Sequence, residues 1–182
     1  FGDMDVSRLT EKPAGRQPIR TVTLPLERYD ELVGRVADAL AGGQKVYWIC
    51  PLVEESDEVE LMSAEERAAA LRDEFGGKVG LVHGRMSGKD KDEAMRAFKQ
   101  GETRIIVATT VVEVGVDVPD ATIIVIEHAE RFGLAQLHQL RGRVGRGSAE
   151  SVCLLMYQAP LSPNARERLA TMRETTDGFE IA

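Results

Sequence analysis

The sequence predicts an α/β fold in which a mainly parallel sheet is flanked by helices on both faces. Short apolar runs rich in β-branched residues (Val46–Cys50, Ile105–Ala108, Thr122–Ile126) lack polar alternation, as strands buried on both faces do. Amphipathic stretches long enough for helices separate those runs. Glycines close several of these stretches, at Gly42-Gly43, Gly76-Gly77 and Gly101. A chain of 182 residues suits one domain with a full hydrophobic core.

Residues 1–18 contain Pro13, Gly15 and Pro18, hold no lasting period and read as an irregular arm or interdomain linker. The domain proper is placed at 19–160. Ile19–Leu24 is its first strand and Asp30–Ala41 its first amphipathic helix. Val46–Cys50 is a buried strand, and the acidic run 54–60 reads as a solvated loop. Ala64–Phe75, rich in Ala, Glu and Arg, is a helix, and Val79–Val82 the next strand. Ser87 is suited to cap a helix running to about Lys99. Ile105–Ala108 and Thr122–Ile126 are strands, Leu134–Arg141 a helix, Val152–Tyr157 a strand and Asn164–Thr175 a final helix. In 111–118 valines alternate with Glu113, Gly115, Asp117 and Pro119; the period suggests a strand, while the glycine and proline weaken one.

The composition, 43% hydrophobic and 29% charged, is that of an ordinary globular protein. No apolar run approaches the roughly 20 residues that span a bilayer, and no signal peptide opens the chain, so a cytoplasmic protein without a membrane partner is expected. Cys50 and Cys153 sit in apolar runs, read as reduced and buried, and have no metal-ligand spacing. A net charge of −7 argues against a general nucleic-acid binder, yet Arg131, Arg141, Arg143 and Arg146 cluster late in the chain and leave room for a local basic site. Starting at Phe1-Gly2-Asp3 and stopping in an apolar phrase, the chain reads as a fragment.

The most informative stretch is Gln139 to Arg146, QLRGRVGR. On a helix of about 100° per residue, Gln139, Arg143 and Arg146 fall within roughly 60° of one another, with Leu134, Leu137, Leu140 and Val144 opposite. An amide and two guanidiniums on one face suit phosphate. Arginines scattered on a solvated face are the commoner case, but Gly142 and Gly145 weaken a helix and make more sense where a ligand comes close.

Parallel sheets build sites beyond the carboxyl ends of their strands. Thr109-Thr110, Cys50-Pro51 and His83-Gly84-Arg85 each follow a predicted strand, so hydroxyls, a glycine and an arginine should gather on one rim suited to a sugar-phosphate backbone. Taken alone, His83 reads better as a structural histidine, and Thr109 serves equally as a helix cap. The chain has no Gly-x-x-x-x-Gly-Lys-Ser/Thr loop, and Asp-Glu pairs such as 30–31, 57–58 and 73–74 do not end a hydrophobic strand as a magnesium ligand should. The arginine pair thus has no phosphate cradle of its own, as is true of arginine fingers that reach a nucleotide held elsewhere.

These residues carry a resemblance. Gln139-x-x-Gly142-Arg143-x-x-Arg146 resembles motif VI of superfamily 2 helicases, and Ala108 to Asp117 (ATTVVEVGVD) resembles their motif V. Within the superfamily, Phe1–Ser7 (FGDMDVS), Cys50–Ser56 (CPLVEES), Gly80–Met86 (GLVHGRM) and Leu134–Gly147 (LAQLHQLRGRVGRG) resemble the RecG helicases over nearly the whole chain. The resemblance implies a second RecA-like helicase domain, a three-layer P-loop NTPase-like fold lacking its own P-loop. It implies that Arg143 and Arg146 contact the γ-phosphate of ATP, bound with Mg²⁺ mainly by a first motor domain. Gln139 would help position the attacking water or connect to the phosphates, and Gly142 would belong to the ATP-binding residues. Gly115 and Asp117 would lie near the ribose and Glu113 near the interdomain cleft. Thr109, Thr110, Gly84 and Arg85 would touch DNA. For 111–118 it favours a short helical turn and loop over a strand. Implied partners are branched double-stranded DNA and the first RecA-like and wedge domains of the same protein, in the bacterial cytoplasm at the nucleoid. Residues 161–182 would begin a segment coupling ATP turnover to translocation. The related transcription-repair translocases are the alternative within this class; outside it stands a non-catalytic nucleotide- or partner-binding module, with a small-molecule Rossmann enzyme weaker still for want of a Gly-x-Gly-x-x-Gly after the first strand.

Overall fold

The computed structural model describes residues 19–50, 57–109, 121–144 and 150–174, with side chains throughout these except at 57–63. The strands among these residues are β1 (Ile19–Pro25), β2 (Val46–Cys50), β3 (Val79–Val82), β4 (Ile105–Thr109), β5 (Ile123–Ile126) and β6 (Ser151–Tyr157). They form one sheet in the order β1-β6-β5-β2-β4-β3, and every pairing is parallel. The helices are α1 (Tyr29–Ala41), α2 (Asp57–Phe75), α3 (Gly88–Gln100), α4 (Leu134–Arg141) and α5 (Pro163–Glu174).

Parallel strands need covering on both faces, and alternate side chains supply two cores. On one face Tyr47, Ile49, Ile106, Ile124, Ile126 and Leu155 meet Phe98 of α3, Leu137 and Leu140 of α4, and Leu169 and Met172 of α5. On the other, Trp48, Ile105, Val107, Val125 and Leu154 meet Leu32 and Val36 of α1 and Ala64, Ala68 and Leu71 of α2. Each large apolar side chain removed from water contributes roughly 1.5–3 kcal/mol, so the central strands are anchored from both sides. This is the layered arrangement that the uninterrupted apolar runs predict.

The acidic run is where the expectation fails. Helix α2 begins at Asp57, so 57–60 are helical rather than a solvated loop. Carboxylates in a first turn complement the partial positive charge of the helix N-terminus, which lets an acidic stretch start a helix as readily as a loop. Residues 54–56, the arm 1–18 and the alternating valines of 111–118 lie outside the described residues.

The α3 termini follow the predicted chemistry. Ser87 Oγ accepts the Asp90 backbone N–H at 3.1 Å, and Gly101 closes the helix with φ +86°. Gly101→Ala is expected to destabilise the domain by roughly 1–2 kcal/mol, because a Cβ disfavours the left-handed conformation; urea unfolding measures it. No helix among the described residues is long and apolar enough to cross a membrane.

Candidate functional site

Helix α4 starts after Gly133 and packs Leu137 and Leu140, both fully buried, onto the sheet; Val144 is also fully buried, while Gln139 is exposed. The helix ends sooner than a common helical face through residue 146 requires. Gly142 caps it, donating its N–H to His138 O at 3.1 Å, and Arg143 N–H reaches Leu140 O at 3.0 Å in the turn beyond. Glycine's low helix propensity at 142 accounts for the stop. Arg143 is half-buried there, two residues past the last helical residue. Gly145 and Arg146 lie outside the described residues. A Cβ on Gly142 would meet His138 O and Gln139 O at 3.5 and 3.6 Å, ordinary contact distances, so nothing in the described surroundings demands glycine at this point.

Arg141 also departs from the expectation. Counted above with the basic cluster, it is instead 0% exposed. One guanidinium nitrogen donates to Thr21 Oγ1 of β1 at 2.9 Å and Met172 O of α5 at 3.1 Å, and another lies 3.0 Å from His138 Nδ1. Burial and the neighbouring Arg141 charge hold the His138 pKa below its ordinary value, so the ring is neutral and Nδ1 serves as acceptor. Burial also pushes the Cys153 thiol up to about 12, against a smaller opposing effect of Arg141. That accords with the reading of Cys153 as a buried thiol; Cys50 is likewise buried, its thiol donating toward Glu127 Oε2 at 3.7 Å.

The predicted rim exists in part. Strands β2, β4 and β3 are neighbours, with Cys50 registered against Thr109 and Val82 against Ala108, so their carboxyl ends lie side by side. Gly84 and Arg85 are exposed in the turn after β3. His83 closes that turn, its Nδ1 accepting the Arg85 backbone N–H at 3.1 Å, and burial lowers its pKa, as suits a structural histidine. Thr109 departs from the expectation: its side chain is fully buried and its hydroxyl has no partner, so in this conformation it offers nothing to a DNA backbone. Strand alternation turns it toward the sheet face of α1 and α2. Thr110, Glu113, Gly115 and Asp117 lie outside the described residues.

A buried network escaped the sequence reading. Glu127, directly after β5, is 6% exposed. Arg67 of α2 forks onto it, Nε to Oε2 at 2.6 Å and Nη2 to Oε1 at 3.1 Å, and the Trp48 indole N–H also donates to Oε2. The Arg67 guanidinium lies 4.5 Å from the Tyr29 ring centroid and 5.7 Å from that of Trp48. Burial opposes the charge on Arg67, but the bonds and the carboxylate charge of Glu127 outweigh it and raise its pKa. Burial likewise raises the Tyr29 hydroxyl, partly offset by Arg67. Glu127 is an acid ending a hydrophobic strand, the position that a magnesium ligand would take and that the Asp-Glu pairs do not occupy. A lone glutamate there was the available signal, and its carboxylate is committed to protein donors. His128 follows in the left-handed conformation at φ +52°, opening the turn Ala129–Arg131 that leads into α4.

The family described as "Helicase conserved C-terminal domain" matches residues 27–148. The chain is 56% identical to the ATP-dependent DNA helicase RecG of Acidithiobacillus ferridurans over 181 residues, covering 99% of this chain and 26% of that protein. It is 50% identical to RecG of Bacillus subtilis (strain 168) over 184 residues, covering 100% and 27%. The chain thus spans about a quarter of the length of these relatives. Among solved structures, RecG bound to a three-way DNA junction superposes with a TM-score of 0.77 at 44% identity, covering 94% of this chain and 22% of that one. S. cerevisiae Dbp5 bound to RNA and ADP BeF3, at 16% identity and a TM-score of 0.65 over 86% of this chain and 39% of that one, shares the fold.

Proposed function

The chain belongs to the helicase conserved C-terminal domain family, and from that premise we propose that it is the second RecA-like motor domain of an ATP-dependent DNA helicase that remodels branched DNA. One observation carries this reading: α4 presents an exposed Gln139 and breaks at Gly142, with Arg143 immediately beyond, in a chain without a P-loop. A glycine that its described neighbours do not require is consistent with close approach by a ligand. Arg143 and Arg146 then act on the γ-phosphate of ATP held with Mg²⁺ by the first motor domain, and Gln139 acts beside them on the attacking water or the phosphates. Mg²⁺ and the P-loop supply charge neutralisation there; this chain supplies guanidinium donors that add charge only when the cleft closes.

Gly115, Asp117 and Glu113 complete the nucleotide side, and Thr110, Gly84 and Arg85 the DNA side, the latter two from an exposed turn on the strand rim. Thr109 takes part by its backbone, since its side chain is enclosed. Residues 161–182, including α5, begin the segment that couples turnover to translocation. The full-length protein works in the bacterial cytoplasm on nucleoid DNA. That RecG has been seen on a three-way junction supports the choice of a branched substrate.

The test compares two samples. The 182-residue chain alone should hydrolyse almost no ATP, whereas the full-length protein should unwind a three-way junction in an ATP-dependent manner. Strong ATPase activity from the isolated chain, or full-length protein that ignores branched DNA, refutes the proposal.

A further inference from the structure

We infer that Arg141, buried behind the phosphate-facing side of α4, is a positioning residue that fixes where Gln139 and Arg143 point. This inference rests on the proposed function and adds to it a residue at which motif VI specifies nothing.

An arginine at 0% exposure is costly to bury, and here it lies beside Cys153 and Met172 of the apolar core, where an apolar side chain of similar size could pack. What a guanidinium provides that Leu or Met cannot is a fixed fork of donors. Here the fork joins separate elements: Thr21 Oγ1 on β1 at 2.9 Å, Met172 O on α5 at 3.1 Å, and His138 Nδ1 one helical turn back at 3.0 Å. Met172 O belongs to the last turn of α5, whose carbonyls have no partner within their own helix. The last turn of α4 is thereby held to the sheet and to a second helix end at once.

The position of the bolt matters. Arg141 is the last helical residue, Gly142 caps the helix, and Arg143 comes next. Without a fixed point before it, the glycine would let Arg143 sample several directions, and catalytic assistance depends steeply on geometry. Fixing residue 141 leaves a single glycine between a rigid core and the phosphate-facing arginine. The neutral His138 completes the arrangement, because a protonated ring would repel the guanidinium it now accepts from.

The experiment uses the full-length protein and reads steady-state ATP hydrolysis on junction DNA, with kcat expressed per folded molecule from thermal melts of each variant. Arg141→Met is expected to lower kcat at least about tenfold, as a displaced catalytic group does, with KM for ATP unchanged within about twofold; Arg141→Lys should recover part of that loss. Because Arg141→Met removes a buried charge network and could fail to fold, a gentler pair decides independently. Thr21→Val deletes one acceptor while keeping the shape and should lower kcat by roughly threefold, while Thr21→Ser keeps the hydroxyl and should restore it. Folded variants that lose only melting temperature and keep wild-type kcat overturn the inference. Arg143→Ala run alongside separates the two claims. If it keeps full turnover, the γ-phosphate reading fails; if it abolishes turnover while the Arg141 and Thr21 variants keep theirs, only the positioning role fails.

Discussion

Alanine at Arg143 or Arg146 is expected to lower ATP turnover by the full-length protein about 10³–10⁵-fold, the range for removing an arginine finger. That range corresponds to roughly 4–7 kcal/mol of activation free energy. The reason for so large an effect lies in when the charge is delivered. On the proposed function the P-loop and Mg²⁺ of the other domain would hold the nucleotide, so ground-state binding would owe little to this chain. The guanidinium would then meet charge that develops as the γ-phosphate departs, in a cleft that closure shields from water. Nucleotide affinity should therefore change by less than about threefold in either variant. Lysine at 143 keeps the charge but loses the planar fork and should recover only a small part of the rate. Hydrolysis assays beside titration with a fluorescent nucleotide measure both quantities. Turnover near the unmodified level, or a loss confined to binding, would show that neither arginine is a finger.

The layered architecture was legible because a parallel sheet buries both faces of its strands. Val46–Cys50 is a strand with the predicted bounds, and all its residues are buried. The helix Leu134–Arg141 also has its predicted limits, since apolar spacing and a following glycine agree there. The start of α2 was not legible, because acidic residues suit both a solvated loop and a helix N-terminus and periodicity cannot choose between them. Arg141 was illegible for a different reason. Its place depends on Thr21 and Met172, which lie 120 and 31 residues away in sequence and meet it only after β1 and α5 have packed. The rim was half legible: strand ends predict which residues gather, but not which way a terminal side chain such as Thr109 turns.

The Arg67–Glu127 pair yields the largest stability effect expected within this chain. Arg67→Met leaves a buried carboxylate whose remaining donors among the described partners are the Trp48 indole N–H and, at 3.7 Å, the Cys50 thiol. Breaking a buried pair in this way destabilises by about 3–5 kcal/mol, which for a domain of this size lowers the melting temperature by roughly 6–20 °C. Removing both charges is a different matter. Arg67→Met with Glu127→Met abolishes the attraction and the desolvation penalty together, and the Tyr29 and Trp48 rings beside Arg67 can pack on the thioether. The double variant should thus recover most of the loss, giving a coupling energy of about 2 kcal/mol or more in the mutant cycle. Trp48, the single tryptophan of the chain, touches the carboxylate and reports each unfolding transition by fluorescence. Additive losses in the double variant would mean that each side chain stabilises through packing alone. A recovered double variant would instead assign the pair to specifying position, and its position is informative: Glu127 ends β5 and leads through His128 into the turn before α4. In that case the double variant should melt like the unmodified chain and yet lose activity in the full-length protein, because the segment that carries Gln139 and Arg143 would have lost its anchor at the strand end.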